Sequence, residues 1–117
     1  MERATRAGEE QTGMFGFGVK TITITQLAER LRHGTPVLLD VREPSEFAAG
    51  HVPGAWNAPL SRLADGSARL DRNAQTLIIC QSGRRSVTAA KQLKRFGFTD
   101  VYSVRGGTGA WSGKLSR

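Results

Sequence analysis

The sequence predicts an α/β domain with a central, mostly parallel sheet and helices on both faces. Two observations carry that expectation. Residues 37–39 (Val-Leu-Leu) and 76–79 (Thr-Leu-Ile-Ile) are short apolar runs of the kind that buries both faces of a parallel strand. Residues 86–96 instead repeat apolar side chains three apart, at Val87, Ala90, Leu93 and Phe96, as an amphipathic helix does, and Gly97 is placed to end it. With 117 residues there is room for one such domain and one core.

Taken in order, residues 1–20 are polar and then glycine-rich, and read as a flexible lead-in to a domain spanning 21–117. Phe15 and Phe17 are the side chains within it suited to docking. Residues 21–24 (Thr-Ile-Thr-Ile) alternate and are β-branched, a first strand. Thr25 is placed to cap a helix through Arg32 that buries Leu27, Ala28 and Leu31, and Gly34 and Pro36 close it. His33 beside Gly34 reads as a surface residue. The strand at 37–39 runs into Asp40 and Arg42. Pro44 suits the first turn of a short helix through Ala49, and Gly50, Pro53 and Gly54 force a turn. Residues 56–58 form a short strand, 59–63 lead into a small helix or turn, and 65–67 are loop. Past the central strand and helix, residues 101–104 form the last strand. Arg105-Gly106-Gly107 then turns the chain back toward the sheet edge, and residues 108–111 make a helical turn with Trp111 as a core plug.

Composition narrows the function classes. Hydrophobic content of 38% with 23% charged residues fits a folded globular chain rather than a disordered one. No apolar run approaches the roughly 20 residues that span a bilayer, and the N-terminus lacks the apolar stretch of a secretory signal. A single cysteine excludes an intramolecular disulfide and a cysteine-cluster metal site. A reducing, cytoplasmic compartment follows as the expectation. Residues 1–20 carry three charges of each sign, so the whole formal excess of +7 belongs to residues 21–117. A basic domain steers anionic small molecules toward a site. Sparse aromatics and the lack of a nucleic-acid motif make nucleic acid the less favoured partner.

The chemistry concentrates at Cys80. This lone thiol ends the apolar run at 76–79, and its loop Gln81-Ser82-Gly83-Arg84-Arg85 leads into the helix that starts near Ser86. Successive loop amides can form an anion-binding nest, and the helix N-terminus adds partial positive charge. Arg84 and Arg85 add two full charges. Each of these favours thiolate over thiol, so Cys80 is expected to ionise below an ordinary cysteine and act as a nucleophile. The Gly-Arg-Arg run in the loop after it argues against a buried, merely structural cysteine. Gly83 suits a backbone angle that a side chain would oppose. In a doubly wound sheet, Asp40 and Arg42 fall on the same edge as Cys80. They would brace the loop through charge-assisted hydrogen bonds, or Arg42 would pair locally with Glu46 at helical spacing.

The loop from Cys80 to Arg85 resembles the six-residue active-site loop of the rhodaneses, the sulfurtransferases, here in a single-domain form. The cell-cycle cysteine phosphatases that share the fold place five residues between cysteine and arginine. Here that arginine position is Ser86. Residues 38–47 (Leu-Leu-Asp-Val-Arg-Glu-Pro-Ser-Glu-Phe), 50–55 (Gly-His-Val-Pro-Gly-Ala) with Asn57, and Gly106-Gly107 with Ala110-Trp111 resemble the family's other signatures, in the family's order. The resemblance covers about residues 21–113. It implies a rhodanese-like α/β domain that moves sulfane sulfur from a donor such as thiosulfate through a Cys80 persulfide. The amides of residues 81–85 would stabilise charge, and Asp40, Arg42 and Ser86 would support the loop. No cofactor or metal is implied, and His51 is given a structural rather than a general-base role. The implied partners are a small anionic donor and a thiol or cyanide acceptor, with a partner protein as one form of acceptor. Nucleic acid and membrane are not implied, and the domain is expected to act as a monomer. Alternative classes are a non-catalytic binding module, a sulfur relay to a protein, and a cysteine phosphatase or arsenate reductase. The chain departs from many relatives at Gln81, where they carry a basic residue.

Overall fold

A computed structural model describes residues 15, 16 and 18–117. Six strands form one sheet: β1 (Phe15–Gly16), β2 (Val19–Ile22), β3 (Val37–Asp40), β4 (Trp56–Asn57), β5 (Thr76–Ile79) and β6 (Val101–Val104), in the order β1-β2-β6-β5-β3-β4. The five from β2 to β4 are mutually parallel, and β1 adds an antiparallel edge through Phe15 opposite Lys20. Helices α1 (Ile24–Arg32), α2 (Pro44–Ala49), α3 (Leu63–Ser67) and α4 (Arg84–Arg95) complete the layers, with single 3₁₀ turns at Leu60–Arg62 and Thr108–Ala110. Among the described residues no helix is long and apolar enough to cross a membrane.

Alternation along the central strands builds a core on each face. Leu39 and Ile78 point to the side where Ala89, Ala90 and Leu93 of α4 and Leu63 of α3 pack. Leu38, Leu77 and Ile79 point to the other side, against Leu27 of α1, Val52 and Val104. The pairing of Val37–Asp40 with Thr76–Ile79 in register brings Asp40 opposite Ile79, one residue before Cys80. The expected edge is therefore the edge formed.

Several boundaries differ from the sequence-based expectation, each for a local reason. The first strand is Val19–Ile22 rather than 21–24, so the expected boundary between residues 20 and 21 falls inside a strand. The rest of the expected lead-in, including the Phe17 side chain, lies outside the described residues. Helix α1 is capped by Thr23, not Thr25. The Thr23 hydroxyl accepts from the Gln26 amide at 3.1 Å while the Gln26 side chain accepts from the Thr23 amide at 2.8 Å, a reciprocal capping box that places Ile24 in the helix.

Residues 65–67, expected as loop, complete α3. Gly66 allows this because a β-carbon there would stand 3.0 Å from that of Ala58. Helix α4 starts two residues early, at Arg84, and its buried stripe is Ser86, Ala89, Ala90 and Leu93. Phe96 is exposed, and Phe98 fills the core in its place. The helix end explains the exchange. Gly97 adopts φ +99°, its amide donates to Lys94 at 3.0 Å, and the Phe98 amide donates to Leu93 at 3.0 Å. This Schellman closure swings Phe98, not Phe96, onto Leu93.

Candidate active site

Strand β5 delivers Cys80 to the carboxyl edge of the sheet, and α4 begins four residues later. Gly83 makes the connection as the helix cap in the left-handed region, φ +104°. With the loop wrapped this way, the Cys80 sulfur accepts from the Gly83 amide at 3.1 Å and from the Ser86 amide at 3.4 Å. Ser86 is the third residue of α4, so its amide is one of the donors that a helix leaves without an internal acceptor. The thiol is more enclosed than the Gly-Arg-Arg sequence implies. Cys80 is 1% exposed and packs in the core with Leu39, Val41 and Ala89.

Two opposed effects act on its ionisation. Burial pushes the thiol up, while hydrogen bonds from the Ser86 and Gly83 amides, the Ser86 hydroxyl and the Ser82 amide hold it down, and the net is a lowered pKa. Activation therefore comes from aimed amides, with the arginines secondary. One of those amides belongs to Ser86, just beyond the expected range 81–85.

The two loop arginines have separate positions. Arg85 reaches across to α2 and donates to both Glu46 oxygens, at 2.8 and 3.0 Å. That bond to Arg85, helped by the Glu43 amide, holds the Glu46 carboxyl at about 2. Arg84 is exposed and, among the described residues, has no side-chain partner. Glu46 therefore pairs with Arg85 across the site and not with Arg42 along its own segment, which corrects the local-pair reading. Glu46 was legible as part of a signature, but its partner 39 residues away was not.

Arg42 belongs to a different assembly. It is 4% exposed and lies against the fully buried Asp40, with Nε and Nη2 donating to the carboxylate at 3.0 and 2.9 Å. Its remaining donors go to the Gly50 carbonyl at 2.7 Å and to the Gln81 side-chain oxygen at 3.3 Å. The pair thus reaches the loop at the residue directly after Cys80. Asn57 holds this segment in turn, donating to the Asp40 and Arg42 carbonyls at 3.0 and 2.9 Å. His51 stacks on Phe47 and its Nδ1 meets the Phe47 carbonyl at 2.8 Å, a contact that orients the α2 exit.

The far side of the loop is closed by the turn after β6. The Thr108 amide donates to the Cys80 carbonyl at 2.8 Å and the Gly109 amide to Gln81 at 3.0 Å. So close an approach requires Gly107, where a β-carbon would stand 2.3 Å from the Cys80 oxygen. Ser103 on β6 is a site residue that the sequence did not mark. Its buried hydroxyl lies 2.6 Å from that of Ser86, whose Oγ also donates to the Gly83 carbonyl at 3.1 Å. Ser82 is exposed at the loop apex.

A groove on the described surface lies elsewhere. It has a volume of about 930 Å³, runs past Leu31, Pro36, Trp56 and Trp111, and includes no residue of the Cys80 loop. Trp111 packs on the α1 side of the core, as a core plug would. Among the described residues no cluster of three or more His, Cys, Asp or Glu side chains is arranged to hold a metal.

A parallel α/β sheet carrying a cysteine in a tight amide-lined loop defines a protein class, and the comparisons agree with it. The model of the rhodanese-like domain family matches residues 23–114. The chain belongs to the rhodanese-like domain family. It is 40% identical over 92 residues to the thiosulfate sulfurtransferase GlpE of Pseudomonas putida, covering 79% of this chain and 84% of that one. It is 38% identical over 93 residues to the uncharacterized protein YqhL of Bacillus subtilis, covering 80% and 74%. The crystal structure of a rhodanese-like domain protein from Staphylococcus aureus superposes with a TM-score of 0.75 at 33% identity, covering 84% of this chain and 97% of that one.

Proposed function

We propose that this domain is a sulfurtransferase that carries sulfane sulfur on Cys80. In the first half-reaction the Cys80 thiolate attacks the outer sulfur of a donor such as thiosulfate. The sulfur–sulfur bond of the donor breaks, its electron pair leaves with sulfite, and Cys80 becomes a persulfide. In the second, an acceptor thiolate or cyanide attacks that outer sulfur and the Cys80 thiolate is restored. Charge resides on sulfur throughout, and no proton transfer is required once Cys80 is ionised.

The observation that carries this reading is the pair of amides on the Cys80 sulfur, from Gly83 at 3.1 Å and Ser86 at 3.4 Å. They stabilise a thiolate nucleophile and serve equally as the leaving-group support of the second step. The placement of Arg85 favours sulfur over phosphate transfer. A phosphatase needs its loop arginine to clamp the phosphate oxygens, and Arg85 is instead committed to Glu46. The relative named as a thiosulfate sulfurtransferase supports the same choice.

The test is steady-state turnover of thiosulfate and cyanide, following sulfite and thiocyanate together. Equimolar products, abolished in Cys80→Ser, are expected. Comparable hydrolysis of p-nitrophenyl phosphate by the same preparation, also lost in Cys80→Ser, would overturn the assignment.

A further inference from the structure

The positive charge of the chain is concentrated beside the site. Residues 84–105 hold six cations against one carboxylate, Asp100. Within α4, five of the twelve residues are cationic and none is acidic. Arg84, Lys91 and Arg95 are seven and four residues apart and share its outer face, with Lys94 alongside. All four are exposed, as is Arg105, whose Cα would touch a β-carbon placed on Gly83 at 3.8 Å. The cations facing inward are neutralised, Arg42 by Asp40 and Arg85 by Glu46. Among the described residues Arg84, Lys94, Arg95 and Arg105 have no side-chain partner. The result is a basic stripe about 16 Å long that starts at the thiolate loop. It ends at Phe96, an exposed aromatic that gives a polypeptide one apolar anchor.

We infer that this face docks an acidic protein segment bearing a cysteine, which is the acceptor of the Cys80 sulfur. The inference rests on the sulfur-transfer reading above and names its acceptor class. A small anion needs only the loop, whereas a stripe this long matches the footprint of a chain with several carboxylates. Cys80, at 1% exposure, admits only a slender nucleophile, such as a cysteine on an extended segment. In the transfer, the acceptor thiolate bonds to the outer persulfide sulfur, the bond between the two sulfurs at Cys80 breaks, and the electron pair returns to Cys80. The products are an acceptor persulfide and the Cys80 thiolate, with no net oxidation. A nucleic acid would meet the charge but carries no thiol.

The probes are two synthetic cysteine peptides identical except that flanking glutamates in one are glutamines in the other. Sulfur transfer from thiosulfate-loaded protein is followed by peptide mass. The glutamate peptide is expected to react about tenfold faster at low salt, in the range of electrostatic steering, and to lose that advantage at high salt. Lys94→Glu/Arg95→Glu, at the far end of α4 from the loop, should remove most of the advantage while leaving transfer to cyanide unchanged, and Arg105→Glu should remove most of the advantage as well. Equal rates for the two peptides, or an advantage that survives charge reversal, would overturn the inference. So would a single-stranded oligonucleotide that binds more tightly than the glutamate peptide. Fluorescence anisotropy with a serine version of each peptide reads docking without sulfur chemistry. If neither thiosulfate nor polysulfide loads sulfur, the sulfur-transfer reading fails while this arm still decides whether the stripe binds acidic chains.

Discussion

Arg85, in the first turn of α4, is held by both carboxylate oxygens of Glu46 on α2, at 2.8 and 3.0 Å, so one ion pair ties the end of the Cys80 loop to the opposite wall of the site. The groups are each about one-third exposed, which limits what the pair adds to global stability. Its larger effect is on loop position. Glu46→Gln is expected to lower kcat/KM for sulfur transfer about fivefold, equivalent to roughly 1 kcal/mol, with a much smaller change in urea midpoint at neutral pH.

The same pair gives a pH signature. The Glu46 carboxyl lies at about 2 in the fold, below its ordinary 4.5, chiefly through the Arg85 hydrogen bond. A depressed carboxylate contributes stability that is complete above its unfolded pKa and disappears as pH falls through the folded one. The stability difference between wild type and Glu46→Gln should therefore be constant above pH 4.5 and fade between 4.5 and about 2, measured by urea denaturation across that range.

For Cys80 the hydrogen bonds outweigh burial and its pKa is lowered. Alkylation by iodoacetamide should reach its plateau at a lower pH than for a free thiol peptide. The Ser86 hydroxyl donates to the Gly83 carbonyl and meets Ser103, holding the loop whose amides reach the sulfur, so Ser86→Ala should raise that midpoint and slow alkylation at neutral pH about fivefold, equivalent to about 1 kcal/mol. The linkage has a definite sign. Between the folded and unfolded pKa values the unfolded chain binds more protons, so wild type gains stability over Cys80→Ser as pH rises through that interval.

Gly107 is irreplaceable on backbone grounds. Its φ of +60° and ψ of −162° lie in a region open essentially to glycine, and a β-carbon would overlap the Cys80 and Gln81 backbone at 2.3 to 2.6 Å. Gly107→Ala should cost about 3 kcal/mol or more and appear as a large fall in Tm. Gly34→Ala, where a β-carbon meets nothing within 4 Å, should be close to neutral in the same measurement.

Asp40 and Arg42 are buried together, with side-chain exposures of 0% and 5%. Removing one partner strands the other, so Asp40→Ala and Arg42→Ala are each expected to cost about 3–5 kcal/mol in urea denaturation. The double variant should cost less than the sum of the two, because neither charge is then left alone.

What the sequence revealed follows from what is local. The apolar runs at β3 and β5, Pro44 at the start of α2 and the Cys80 loop were legible because a few adjacent residues decide each one. The start of α1 was misplaced because two threonines compete as caps, and only the Gln26 side chain selects Thr23. Phe96 and Phe98 exchanged roles because the Gly97 turn, rather than helical spacing, aims the buried ring. Within the site, Arg85 with Glu46, Ser86 with Ser103, and Thr108 with the Cys80 carbonyl join residues distant in sequence. No periodicity records such pairings. The sheet register creates them.

The most direct test of the account is intact mass after incubation with thiosulfate, before and after cyanide, for wild type and Cys80→Ser. The account predicts a gain of one sulfur atom on wild type, removed by cyanide and absent from the variant. An unmodified wild-type mass after both thiosulfate and polysulfide, with Cys80 still open to alkylation, would contradict it.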